Sequence, residues 1–205
     1  MSSKNLILVG GGGHARACAD VINTTKKFNI IGYTDIKKSK GMSAYNYLGT
    51  DDILADQIKK SSFIITIGQI KSYTKRKELF NYLKKNNANI ISVESINSYV
   101  SKGSNIGIGT IIMHGSIVQV DVEIGENCII NDKALIEHDV TIGDNCHIST
   151  GSIVNGNVTI GNGVFIGSGA VIKNGVSIAN NCIIGMGEII KKDLLEESIL
   201  IKNHI

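Results

Sequence analysis

From Val100 to Ile190 every sixth residue is Ile or Val, sixteen positions in phase. With those two residues making up about a third of this half, such a run has a chance probability on the order of 10⁻⁸. An α-helix cannot use a strict period of six, because 3.6 residues per turn would spread the aliphatics around its cylinder. A short strand followed by a tight corner can. Three such units predict a triangular coil of 18 residues that stacks Ile on Ile along a narrow interior. Four residues after each aliphatic comes a mostly small side chain, among them Ser104, Thr110, Ser116, Cys128, Ala134, Cys146, Ser152, Ala170 and Cys182, with Glu188 the exception. Gly107, Gly125, Asn145, Asn162, Gly167 and Asn174 are expected at corners, where backbone conformations unusual for other residues are needed.

The first 99 residues follow a different pattern. Apolar runs at 5–9, 29–34, 63–67 and 89–93 predict buried strands. They alternate with stretches of helical character that start at the first glycine turn and end near 25, then span 51–60 and 73–86. This is the signature of a small parallel sheet with covering helices. The first strand runs into Gly10-Gly11-Gly12-Gly13-His14-Ala15. A glycine turn from strand to helix presents backbone N–H groups at a helix N-terminus, an arrangement suited to phosphate. The same turn also serves close strand–helix packing, and His14 also fits a helix-start residue facing solvent. Asp35 follows the second strand and Gly68 the third, both at the edge where such folds bind a nucleotide. Lys71, Lys75 and Arg76 follow closely enough to neutralise a diphosphate. A full NAD site is not expected, since the domain lacks a second mononucleotide-binding half.

Composition reinforces the division. Nine of the ten aromatics lie in residues 1–99, leaving Phe165, so the two halves have different cores. Residues 1–99 carry 15 Lys+Arg against 7 Asp+Glu, and residues 100–205 carry 6 against 11, which gives the first half the preference for an anionic partner. Proline is absent, so Gly and Asn make the turns. No apolar run approaches the roughly 20 residues of a membrane span, and no basic block with interleaved aromatics supports nucleic-acid binding. A cytoplasmic protein with reduced thiols is expected. Cys128, Cys146 and Cys182 share the small inward position at spacings of 18 and 36, which reads as a buried ladder rather than a metal site or an acyl-thiol nucleophile.

The repeat resembles that of the hexapeptide acyltransferases, whose β-helix is left-handed. Gly-Gly-Gly-Gly-His-Ala at 10–15, Gly-Tyr-Thr-Asp at 32–35, Leu-Gly-Thr at 48–50, Ile-Thr-Ile-Gly at 65–68 and Ile-Glu-His-Asp at 136–139 together resemble one branch of them. That branch contains the nucleotide-amino-sugar N-acetyltransferases and sialic acid O-acetyltransferases of the PglD/NeuD type. The resemblance implies an α/β Rossmann-like nucleotide-sugar-binding domain at 1–97, a left-handed parallel β-helix at 98–192 and a tail at 193–205. It also implies acetyl-CoA as donor, no metal, and a homotrimer whose flat, polar-faced sheets need a partner to complete the donor site. By motif, His138 corresponds to the general base and Asp139 to the carboxylate that polarises it. Asn131 lies upstream of the base on the substrate side, while His147 and Gly156 match donor-side positions. Gly12, Gly13, His14, Asp35 and Gly68 match nucleotide-sugar contacts. The chain departs from the family in lacking Gly-x-Pro-Ala near its C-terminus, where Ser198-Ile199-Leu200-Ile201-Lys202-Asn203-His204-Ile205 stands, and in having Asp139 where Glu is frequent.

The chemistry agrees with these assignments. An amine attacking a thioester must lose a proton, which an imidazole accepts at neutral pH while a carboxylate fixes its tautomer. His138 precedes Gly156 by one 18-residue coil, so no side chain is expected above it. The implied activity is N-acetylation of a UDP- or dTDP-linked 4-amino-4,6-dideoxy sugar for surface glycan synthesis, with O-acetylation of sialic acid as the rival. For each histidine the plain alternative is an exposed corner (His138), a surface residue (His147) and a structural residue (His114). A zinc hydratase would need His114, His138 and His147 to converge from unlike positions of the coil, and a scaffold without activity would leave the acidic–His pair unexplained.

Overall fold

A computed structural model describes residues 4–70 and 72–200. Lys71 and residues 201–205 of the C-terminal segment lie outside the described residues. The chain divides into two compact units, Met1–Ile96 and Asn97–Ile205.

The first unit is a five-stranded parallel sheet in the order β3-β2-β1-β4-β5. Its strands are β1 (Lys4–Val9), β2 (Phe28–Thr34), β3 (Tyr47–Gly49), β4 (Ser62–Ile65) and β5 (Asn89–Ile90), with helices α1 (Gly13–Thr25), α2 (Leu54–Gln57) and α3 (Thr74–Lys85). The uninterrupted apolar run of β1 reflects burial on both faces. Ile7 and Val9 pack with Leu54, Phe63, Ile65, Leu79, Phe80 and Leu83, while Leu6 and Leu8, which alternate to the other face, are equally buried. Helix α1 turns Ala15, Cys18, Ala19 and Ile22 inward at i, i+3, i+4 and i+7.

The differences from sequence are local. Strand β3 is three residues long at a sheet edge and too short to alternate visibly. The helix expected over 51–60 is a 3₁₀ turn at Asp51–Ile53 followed by one turn of α-helix. The chain reverses direction across the sheet between β1, next to β2, and β4, so the glycine turn at the end of β1 opens at the switch point where such sheets hold ligands.

The second unit is a parallel β-helix of two-residue rungs. The first face stacks Tyr99–Val100, Ile117–Val118, Leu135–Ile136, Ile153–Val154, Val171–Ile172 and Ile189–Ile190. The second face runs from Asn105–Ile106 to Ser177–Ile178. The third runs from Ile111–Ile112 to Ile183–Ile184 and is continued by Ile199–Leu200. Residues 194–200 thus extend the stack, with Leu194 bridging Ile178. That last step is 16 residues rather than 18.

The Ile/Val positions from Ile112 onward and the apolar inward residues, among them Cys128, Ala134, Cys146, Ala170 and Cys182, form one continuous core. The corner turns repeat every six residues, and Asn145, Asn162 and Asn174 lie in them as expected. Left-handed backbone falls on Gly109, Gly115, Asp121, Asn127, Lys133, Asp139 and onward to Gly187, so Asn145 is the one expected corner residue that takes it. Gly107, Gly125 and Gly167 are glycine for another reason: a Cβ there would collide with the backbone of the next coil. Asn162 instead uses its side-chain oxygen to accept from the Asp144 N–H at 2.7 Å, one rung of a ladder running along that edge.

The small inward residues also do more than save space. Thr110 Oγ1, Ser116 Oγ, Cys128 Sγ and Cys146 Sγ each donate to the carbonyl 15 residues ahead, those of Gly125, Asn131, Gly143 and Gly161, at 2.8–3.1 Å. Burial pushes the Cys146 and Cys182 thiols up, so at neutral pH they are protonated donors rather than nucleophiles.

Candidate active site

Two constructions carry chemistry, one in each unit. In the first, Gly12 caps α1 without a side chain and no acidic residue stands in the first turn, so the helix presents its unsatisfied N–H groups and the positive end of its dipole. Gly11 leaves room for the Tyr33 ring, which a Cβ there would push aside. Asp35 ties the turn to the end of β2, accepting from Gly11 N through Oδ2 at 2.9 Å and from Ile36 N through Oδ1 at 2.7 Å. These groups line a pocket of about 430 Å³ together with Gly13, His14 and Gly68.

His14 is half-buried on the pocket wall, not a solvent-facing helix start, and its Nε2 lies 3.3 Å from Cys18 Sγ. Gly68 adjoins it on that wall, its Cβ direction pointing to the His14 Cβ at 3.4 Å. Asp51, Thr66 and Lys75 also line the pocket. Asp51 carries no sequence signal for this pocket, and Thr66 none beyond its place in the motif at 65–68; the fold brings both to the wall. Arg76 corrects an expectation. It is 1 % exposed and donates to the carbonyls of Ile65 and Ile67 at 2.6 and 3.0 Å, so it braces the end of β4 instead of offering its charge to a ligand.

In the β-helix, His138 and Asp139 are the two central residues of a corner turn, with Asp139 left-handed at φ 59°. The His138 Nδ1 stands 2.7 Å from Asp139 Oδ2, and the two side chains are 59 % and 57 % exposed. The hydrogen bond to Asp139 raises the His138 pKa above the ordinary value of 6.5, against a smaller opposing desolvation, with the charges of Asp139 and Glu137 adding to the rise. A carboxylate on Nδ1 makes that nitrogen the proton carrier in the neutral ring and leaves the Nε2 lone pair for a substrate proton. The ring lies over the next coil, where a Cβ on Gly156 would stand 2.9 Å from Nε2. The expected absence of a side chain above His138 is therefore present as bare backbone at close range.

Asn131 and His147 meet each other, Nδ2 to Nε2 at 3.2 Å. His147 is 6 % exposed and packs edge-on against Phe165, with centroids 5.2 Å apart, so the plain surface alternative does not describe it. His114 belongs to another corner, its backbone N–H donating to Asp132 Oδ1. Among the described residues no group of three or more His, Cys, Asp or Glu side chains could hold a metal ion. No described helix is long and apolar enough to cross a membrane.

Residues 5–83 match the family model of the PglD N-terminal domain, and residues 121–156 and 157–187 match that of the bacterial transferase hexapeptide. Fold and repeat together define a hexapeptide-repeat acyltransferase with a left-handed parallel β-helix. Residues 5–83 thus carry a domain of the PglD N-terminal kind ahead of the hexapeptide repeats. No curated protein sequence matches it. Among solved structures it is similar to the acetyltransferase domain of PglB from Neisseria gonorrhoeae, also solved with acetyl coenzyme A, with a TM-score of 0.92, 21 % identity and 98 % of each chain covered. It is also similar to PerB from Caulobacter crescentus in complex with CoA and GDP-perosamine, with a TM-score of 0.88, 25 % identity, and 97 % of this chain and 94 % of that chain covered.

Proposed function

We propose that the chain transfers acetyl from acetyl-CoA to the amino group of a nucleotide-linked 4-amino-4,6-dideoxy sugar, directly and without an acyl-enzyme, in the synthesis of a surface glycan. The observation that carries this reading is the His138–Asp139 pair above the bare Gly156 backbone. As the amine forms its bond to the thioester carbon, His138 Nε2 takes the amine proton. Asp139 stabilises the imidazolium, and the proton leaves with the CoA thiol as the C–S bond breaks. Asn131 serves the substrate side and His147 the donor side.

In the first unit, Gly12, Gly13, His14, Asp35 and Gly68 hold the nucleotide. The PerB complex, which contains GDP-perosamine, supports the substrate class and adds GDP to UDP and dTDP as bases to compare.

The enzyme acts as a homotrimer. The support lies in the outer side of the first face, where Tyr99, Ile117 and Ile189 are 58, 39 and 58 % exposed and Leu135, Ile153 and Val171 half-exposed. The expectation of polar-faced sheets holds for the second face, with Asn105, Glu123, Thr141, Thr159 and Ser177 outward, and fails for the first. Six apolar side chains in a row call for a covering partner.

The test is to offer acetyl-CoA with UDP-, dTDP- and GDP-linked 4-amino-4,6-dideoxy sugars and with free sialic acid, following CoA thiol release and product mass. Acetylation of an amino sugar is expected. Acetylation of sialic acid alone would select the O-acetyltransferase reading, and an active monomer in sedimentation would overturn the trimer.

A further inference from the structure

The glycine turn accounts for how the pocket of the first unit would meet phosphate oxygens, but not for its arrangement of charge. Among the described lining residues, two carboxylates, Asp35 and Asp51, face a single Lys/Arg side chain, Lys75. Both Asp35 oxygens accept backbone N–H groups. Asp51 accepts from Thr34 Oγ1 through Oδ1 at 2.9 Å, and its Oδ2 lies 3.4 Å from Lys75 Nζ. The Thr34 carbonyl in turn accepts from Gly10 N at 2.9 Å. This chain of contacts sets the ammonium beside the opening of the turn, near the positive end of α1, where a ligand's phosphates would be most favoured.

We propose, resting on the nucleotide reading above, that Lys75 anchors the diphosphate and that Asp51 is its built-in competitor, so that the pair selects ligands by charge. With the pocket empty, Asp51 neutralises Lys75 and holds it at the wall. An ion pair with side chains 58 % and 28 % exposed is weak, and a ligand carrying more than one negative charge can draw the ammonium away. A nucleoside diphosphate does so, whereas an uncharged nucleoside gains nothing from Lys75. The turn's N–H groups then orient the phosphates, and the lysine supplies an undirected charge that falls off with salt.

The experiment is calorimetric titration of the whole chain with UDP, dTDP and GDP and with the matching nucleosides. Lys75→Gln, at a side chain more than half exposed, should weaken diphosphate binding about tenfold and leave nucleoside binding unchanged. Asp51→Asn keeps the acceptor for Thr34, removes the competitor, and should tighten diphosphate binding about threefold. A Lys75→Gln protein with an unaltered preference for diphosphate over nucleoside would overturn the anchor. An Asp51→Asn protein that loses diphosphate and nucleoside equally would place Asp51 on the ribose or base and overturn the competitor. If the unaltered chain binds no nucleotide at all, the nucleotide reading fails with them. Binding with inert variants sinks this proposal alone.

Discussion

The two candidate sites are built by opposite means. The pocket of the first unit is a site of backbone: its central residues are glycines, one of them set close against the Tyr33 ring, and its donors are the N–H groups at the start of α1. The site on the β-helix is one of side chains, a His–Asp pair on a single corner turn, aimed over a coil that has been stripped of side chain. Backbone donors hold a ligand's charge without titrating, so they suit binding. An imidazole exists to change its charge, so it suits a step in which a proton moves. The difference teaches where each kind of lesion should appear, in affinity for the first site and in turnover for the second.

The sharpest way to break that division is His138→Ala, which should lower kcat by about 10²–10⁴ while leaving acetyl-CoA affinity nearly unchanged, read by steady-state kinetics beside calorimetry. Near wild-type turnover with an unchanged pH profile would make His138 an ordinary corner histidine. Gly156→Ala adds one methyl group 2.9 Å from Nε2. It should displace the ring and cost roughly 10–100-fold in kcat with the fold intact by circular dichroism. An unaffected rate would show that the ring's seat over Gly156 is unimportant.

Gly11→Ala tests the other site. By pressing on Tyr33 it should weaken nucleotide binding by about 1–2 kcal/mol and spare kcat at saturation. A loss of kcat instead would dissolve the contrast between the two.

Asp139→Asn sharpens the comparison through pH. The base works only when unprotonated, and Asp139 raises the His138 pKa, so the acidic limb of kcat/KM should lie above that of a free histidine. Removing the carboxylate should move the limb to lower pH and lower the rate less than His138→Ala does. A limb that stays in place would assign it to another group. The smallest effects on catalysis belong to Cys128→Ala and Cys146→Ala. Each should cost on the order of 1–2 kcal/mol in denaturant unfolding through lost packing and a lost S–H bond, with turnover of the folded protein retained. A trapped acetyl-thioester on either would replace direct transfer by a two-step mechanism.

Periodicity alone determined the β-helix, because a rung of the stack depends only on residues six and eighteen apart, and that regularity is written directly in the chain. It also brought out the glycine one coil beyond His138, for the same reason. The alternation of apolar runs with helical stretches, and the glycine turn after the first strand, were equally local and equally legible. Three things depended on contacts that spacing does not encode. Which corner residue takes left-handed backbone is set by the fit of stacked turns, so Lys133 and Asp139 adopt it while Gly107 and Gly125 are glycine to admit the neighbouring coil. Arg76 looks like a free cation in sequence, yet the end of β4 claims it through two buried carbonyls. Asp51 carries no motif and reaches the pocket because Thr34, at the end of β2, binds it across the fold. A repeat is a property of the chain; the partner of a charge is a property of the packing, since only the closed structure decides which donors and acceptors lose their water and must find one another.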